Sequence, residues 1–220
     1  MIIDSQFSIP QLSEKNDQIL NPDTKKTPLI TSLSLEKFGL DNQNVPLKTI
    51  EYADNSVYFG QVKNDNVKHG LGKFIYPNKN CYIGEWDSDE ISGFGSLFTE
   101  SNVLIYEGYW QNGKFKGIGV LYNLFPNNEE GFNEINYKNF SEIEDKWRTY
   151  EGELDEDLMN GNGRIEFGNG DVFIGNFKQN KIDGEGIFLK KSNGEQILGV
   201  WKENILMNRT EAEKNEICYQ

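Results

Sequence analysis

One histidine and two cysteines are all that this chain of 220 residues offers of the side chains most used for nucleophilic and transition-metal chemistry. Cys81 and Cys218 stand far apart and form no CxxC, so they outline neither a metal site nor a disulfide framework and read as reduced bystanders. His69 would have to serve any Ser-His-Asp triad, yet it sits among glycines with no nucleophile motif beside it. Long apolar runs are also missing. None approaches the roughly 18 residues that a membrane span needs, and the N-terminus shows no basic-then-apolar leader, so the expectation is a soluble cytoplasmic chain. Positive charge is short too: 22 Lys and Arg face 35 Asp and Glu, for a formal charge of -13. That balance works against nucleic-acid phosphates and anionic membranes and suits a basic partner.

What the chain does have is glycine and aromatic residues in register. Tyr58-x-Gly60, Tyr82-x-Gly84, Tyr106-x-Gly108, Tyr150-x-Gly152, Phe173-x-Gly175 and Ile197-x-Gly199 form one column, spaced by 24, 24, 44, 23 and 24 residues. The 44 is one repeat plus an insertion of about 20 residues. Two positions after each glycine comes Val62, Trp86, Trp110, Leu154, Phe177 or Trp201, and five further on Val67, Ile91, Phe115, Met159, Ile182 or Leu206. A Gly-x-Gly pair follows in the first five units: Gly70/Gly72, Gly93/Gly95, Gly117/Gly119, Gly161/Gly163 and Gly184/Gly186. Two residues beyond each pair stands Phe74, Leu97, Leu121, Ile165 or Phe188. The sixth unit stops after Leu206 without its Gly-x-Gly, as a terminal capping unit would.

Side chains alternate along a strand, so Tyr, Gly and Trp of Tyr-x-Gly-x-Trp share one face, and Gly, Gly and the apolar residue of Gly-x-Gly-x-apolar share one face of a second strand. Turn-formers such as Gln111-Asn112-Gly113 separate the two, so each unit predicts an antiparallel hairpin. An aromatic ring lies flat across a neighbouring strand only where that strand lacks a Cβ, which gives the glycines a physical purpose. Hairpins stacked this way give an all-β, elongated, single-layer antiparallel sheet of about six units, each dependent on its neighbours for burial.

At these residues the sequence resembles the MORN (membrane occupation and recognition nexus) repeat family, whose unit of about 23 residues is Tyr-x-Gly-x-Trp, a turn, then Gly-x-Gly. It departs where Val62 and Leu154 replace the tryptophan, where Ile197 replaces the tyrosine, and in one extra residue before Gly70. The resemblance implies a structural core of Tyr82, Gly84, Trp86, Gly93, Gly95, Tyr106, Gly108, Trp110, Gly117, Gly119, Tyr150, Gly152, Gly161, Gly163, Phe173, Gly175, Phe177, Gly184, Gly186 and Trp201. Members that consist largely of the array serve as scaffolds in cilia, notably radial-spoke heads, or in protist cytoskeletons. The implied function is thus a non-catalytic scaffold contacting other protein subunits, including other MORN proteins, in an axonemal or cytoskeletal assembly. The alternative, suggested by the family name, is a peripheral phosphoinositide-binding module, against which the acidic charge argues.

Around the repeats the expected divisions are an extended N-terminal arm over 1–50, repeats 1–3 over 51–123, an acidic aromatic insertion over 124–149, repeats 4–6 over 150–206, and a capping segment over 207–220. Asn208-Arg-Thr-Glu211 reads as the start of a short C-terminal helix covering the last strand edge. The insertion is acidic yet carries five aromatics, which either pack on their own sheet or meet a partner. Because the recurrent columns are spent on hairpin packing, the expected protein-binding residues are the exceptions: Phe132, Tyr137, Phe140 and Trp147 of the insertion, and Leu33, Leu35 and Phe38 of the arm.

No catalytic, cofactor-binding or metal-binding residue is predicted. Gly70-Leu-Gly72-Lys73 lacks the Gly-x4-Gly-Lys spacing of a phosphate loop and recurs without lysine. Asp155 to Gly161 hints at a calcium loop but places Met159 and its glycine wrongly. Glu151 and Glu153 share a strand face, as pairs on an acidic surface routinely do.

Overall fold

The computed structural model describes residues 47–124, 134–143 and 146–210. Among them are thirteen strands: β1 (Leu47–Glu51), β2 (Val57–Lys63), β3 (Val67–Ile75), β4 (Cys81–Asp87), β5 (Glu90–Phe98), β6 (Leu104–Gln111), β7 (Lys114–Tyr122), β8 (Trp147–Asp155), β9 (Leu158–Phe167), β10 (Val172–Lys178), β11 (Lys181–Leu189), β12 (Gln196–Lys202) and β13 (Ile205–Thr210). They form one antiparallel sheet in sequence order, as stacked hairpins require. The chain divides into two compact units between Lys116 and Gly117, within β7.

Two kinds of connection alternate. Within a hairpin the turn is tight, with positive φ at both central residues: Ser88/Asp89, Asn112/Gly113, Glu156/Asp157, Gln179/Asn180 and Glu203/Asn204. That is the type I′ pattern, whose twist matches the flanking strands. In the first hairpin Lys63 pairs with Val67, leaving three residues in the turn, so the extra residue before Gly70 is absorbed there. Between hairpins the connection is longer. Tyr76 and Asn80, Thr99 and Val103, and Phe167 and Asp171 close such loops by backbone hydrogen bonds of 2.9 Å each.

The registers explain the glycines. Gly60, Gly72, Gly84, Gly95 and Gly108 are successive cross-strand partners in the first unit. In the second, Gly119, Gly152, Gly163, Gly175, Gly186 and Gly199 are. The tyrosine and phenylalanine rings lie on this ladder: a Cβ at Gly95 would stand 2.3 Å from the Tyr82 hydroxyl, and one at Gly186 would stand 2.4 Å from the Phe173 ring. The first glycine of each Gly-x-Gly has a different reason. Gly70, Gly93, Gly117, Gly161 and Gly184 all have positive φ, and for Gly70, Gly93, Gly161 and Gly184 the neighbouring strand carries a register shift just after its Tyr-x-Gly or Phe-x-Gly.

On the ladder the aromatics interlock. Tyr82 meets Trp86 of its own hairpin at 5.5 Å and Trp110 of the next at 5.2 Å, both edge to face. Phe173 meets Phe177 and Trp201 in the same way, at 5.7 and 5.2 Å. Each tyrosine hydroxyl is satisfied inside this layer by the carbonyl three residues on, Tyr82 donating to Glu85 at 3.0 Å, Tyr106 to Tyr109 at 2.8 Å and Tyr150 to Glu153 at 2.7 Å.

A second seam runs through the turns. Asp89 donates its N–H to the Lys68 carbonyl and accepts the Lys68 N–H on its carboxylate, at 3.0 and 2.8 Å. Asn180 does the same to Met159 and Asn204 to Ile182, while Gly113 donates to Ile91. These four turns thus clip onto the second strand of the preceding hairpin.

Three expectations change. Leu47–Glu51 is a strand paired with β2, so the arm yields its last residues to the sheet. The sixth unit completes its hairpin: β13 runs to Thr210, so Asn208, Arg209 and Thr210 are strand rather than a helix start. Arg209 takes the ladder position opposite Gly199. No ring needs space there, because Ile197 replaces the tyrosine. Residues 211–220 lie outside the described residues, as do 1–46.

Candidate protein-binding surface

Of the residues predicted to meet a partner, Leu33, Leu35, Phe38 and Phe132 lie outside the described residues. The other three are placed by the second unit. Phe140 is 1% exposed, and its ring sits among Phe167, Phe173, Phe188 and Trp201 at centroid distances of 5.4 to 6.0 Å. Trp147 is 5% exposed and begins β8. Tyr137 is half-buried, stacked on Phe188 at 5.7 Å, and the Lys190 ammonium lies over its ring at 5.4 Å. The apolar spacing Ile135, Tyr137, Phe140, Ile143 therefore fits the chain's own aromatic layer. Phe140 and Trp147 are core, a correction to their reading as interface anchors.

Backbone contacts fix the same segment. Trp201 donates its indole N–H to the Tyr137 carbonyl at 2.8 Å. Phe140 donates to the Asn204 carbonyl and Leu206 to the Lys138 carbonyl, while Asn139 and Ile205 form an antiparallel bridge. Residues 138–140 thus shield the near half of β13, the edge protection expected of a C-terminal helix. A single 3-10 turn, Phe140–Glu142, follows, its start capped by the Asn139 side chain.

Several polar side chains on the hairpins have structural partners. Glu153 accepts the Asn162 N–H at 2.9 Å, Glu85 that of Phe94 at 3.1 Å, and Gln61 that of Leu71 at 2.8 Å. In these three hairpins the polar residue between the glycine and the large apolar residue therefore satisfies the backbone beside the positive-φ glycine. His69 is exposed and lies 3.3 Å from Asp87. Asp155 ends β8, Glu156 and Asp157 make the turn, and Gly161 lies in β9. Cys81 is half-buried, and burial pushes its thiol up to about 11.

The face opposite the aromatics is where the repeats differ. In the first unit Phe94 and Tyr109 are cross-strand partners on it, both exposed, with rings 5.6 Å apart edge to face. In the second unit Ile174, Ile187 and Leu198 form one row across β10, β11 and β12. Val172 and Leu189 form the row beside it, and Val200 stands two residues beyond Leu198. Ile174 is 44% exposed and the other five are half-buried. These residues escaped the sequence reading because they occupy the variable positions of the repeat. The signal was present, since the residue between Tyr and Gly is apolar in four of six units: Phe59, Ile83, Ile174 and Leu198.

Comparison with known proteins relates the array to one family. The family model of the MORN repeat matches residues 58–81, 82–99, 106–123, 150–172 and 173–195, five segments that fall on the hairpin array. A solved structure described as the SAS-4 (dCPAP) TCP domain in complex with a proline-rich motif of Ana2 (dSTIL), from Drosophila melanogaster, is 18% identical, covering 70% of this chain and 78% of that one with a TM-score of 0.33. No curated protein sequence matches this chain.

Proposed function

We propose that this chain is a non-catalytic MORN-repeat scaffold that holds other protein subunits in a cytoplasmic assembly, a ciliary or flagellar axoneme with a radial-spoke-like role, or another cytoskeletal complex. One observation carries the reading. Every recurrent column is consumed by the glycine ladder, the aromatic layer or the turn seam, while the opposite face carries apolar residues that differ from repeat to repeat. Packing of the fold does not require Phe94, Tyr109 or Ile174 to be apolar, and exposed apolar residues grouped on one face suit protein contact. The charge of -13 favours a protein partner over an anionic lipid.

Native purification of the tagged chain from its source cells, with cross-linking and mass spectrometry, tests this. Cross-links from the lysines around these outward rows to defined subunits are the expected result, with the tagged chain on axonemes or cytoskeletal structures in microscopy. Recovery as a free chain that pellets with phosphoinositide vesicles would overturn it.

A further inference from the structure

The outward apolar patch of the second unit has a definite shape. Ile174, Ile187 and Leu198 span three adjacent strands, about 10 Å at the usual strand spacing, which is the diameter of one α-helix. Val172 and Leu189 extend the patch along the strands by one residue pair, and Val200 by another step in the opposite direction. Helices laid on an apolar sheet face are the common two-layer solution, since a strand could make no backbone ladder on a face.

The charges around the patch choose the kind of helix. Glu151 flanks it across β9 as the partner of Arg164, which is itself the partner of Ile174; Glu185 flanks it on β11 as the partner of Val200. Both are exposed. Three nearby cations already have carboxylates, Arg164 with Glu166 at 3.0 Å, Lys181 with Glu203 at 3.3 Å and Lys202 with Asp183 at 3.0 Å. Two copies placed patch to patch would set these carboxylates against each other, and an anionic membrane would meet the same field.

Building on the scaffold reading, we propose that the outward face of β10–β12 docks an amphipathic helix of a partner protein, apolar along one side and flanked by lysine or arginine. The apolar side covers Ile174, Ile187 and Leu198, and the flanking cations meet Glu151 and Glu185.

The test uses the full chain and a fluorescent 15-residue peptide of leucine and lysine patterned as an amphipathic helix, with a scrambled peptide of the same composition and a leucine–glutamate version as controls. Saturable binding of the patterned peptide alone, with new hydrogen-exchange protection within 172–200, is expected. The pair Ile174→Thr and Leu198→Thr, which keeps strand propensity, should weaken binding at least tenfold at an unchanged melting temperature, and Glu151→Gln with Glu185→Gln should weaken it and remove most of its salt dependence. Should the threonine pair destabilise the sheet, Glu151→Gln with Glu185→Gln alone decides the matter. Equal binding of the scrambled peptide, protection elsewhere, or indifference to the substitutions overturns the proposal. So does a dimer abolished by Ile174→Thr, pelleting with phosphatidylserine vesicles that it abolishes, or peptide binding that appears only once residues 211–220 are removed. A chain that still cross-links to its subunits through other surfaces would sink this inference and leave the scaffold reading standing; a chain with no protein partner would sink both.

Discussion

The indole of Trp201 reaches back 64 residues to donate to the Tyr137 carbonyl, whereas Trp86 and Trp110 donate to Gly72 and Gly95 of the preceding hairpins. The last tryptophan thus recruits the insertion as a lining. The insertion between β7 and β8 is an enlarged inter-hairpin loop whose middle has been drafted into the core.

This lining can be removed selectively. Phe140→Ala should cost about 3 to 5 kcal/mol, because the ring is enclosed by four others. Hydrogen exchange should show the loss in β9–β13. Replacing 126–147 with a Gly/Ser linker should destabilise the same strands. Cooperative melting at the unaltered temperature would show that the segment is a spectator.

Gly95→Ala isolates the ladder. Its methyl would fall 2.3 to 2.5 Å from Tyr82 atoms, so the ring must move out of a layer it shares with Trp86 and Trp110. A loss of about 1 to 3 kcal/mol is expected in denaturant titration. Gly194→Ala is the control: nothing lies within 4 Å, and only its positive φ resists, so a much smaller effect is expected.

Asn204 tests the turn seam. It is 3% exposed, and its side-chain oxygen accepts the Ile182 N–H at 2.8 Å. Asn204→Ala leaves that donor unsatisfied and puts alanine at a φ of 74°. A cost of about 1 to 3 kcal/mol should appear as a lower unfolding midpoint, with Asn204→Asp recovering part of it through the retained acceptor.

Alkali should unfold the protein more readily than moderate acid. Burial raises the hydroxyls of Tyr58, Tyr76, Tyr82 and Tyr150 above the ordinary tyrosine range, and the Cys81 thiol to about 11. The folded state therefore holds these protons more tightly than the unfolded chain. Their linkage contribution is intact below pH 9 and falls as pH rises through 9 to 11 and beyond. In absorbance at 295 nm the buried tyrosines should ionise together with unfolding, not as a separate step near pH 10. Independent ionisation of all ten tyrosines in a folded chain would contradict their burial.

The hairpins were legible because each column has one local cause: a ring at Tyr82 demands a missing Cβ at Gly95, and both are visible as letters 13 positions apart. The fate of Phe140 was not. An aromatic outside the columns is equally suited to a partner and to the chain's own sheet, and only the distance it folds back decides. β13 was hidden because the expected Gly-x-Gly is absent, although Ile197 in place of tyrosine already announced that no glycine was needed opposite Gly199. The turn seam was masked by composition: Asp89, Asn180 and Asn204 are ordinary turn residues, and that their side chains serve the preceding hairpin is a tertiary fact. Ile174 and Leu198 were overlooked because a variable position reads as unconstrained surface.

The inter-hairpin loops share a frame, from Tyr76 to Asn80, Thr99 to Val103 and Phe167 to Asp171, and the enlarged connection after β7 shows what that frame tolerates. Strands β7 and β8 keep their register through a connection of 24 residues, from Tyr122 to Trp147. Pairing of the flanking strands, not the loop, holds each hairpin to the next. Each such loop is accordingly a graft point: a foreign peptide or small domain placed after Asn78 or Asn169 should be displayed with both neighbouring hairpins intact, making the array a pegboard on which evolution or a designer can hang cargo.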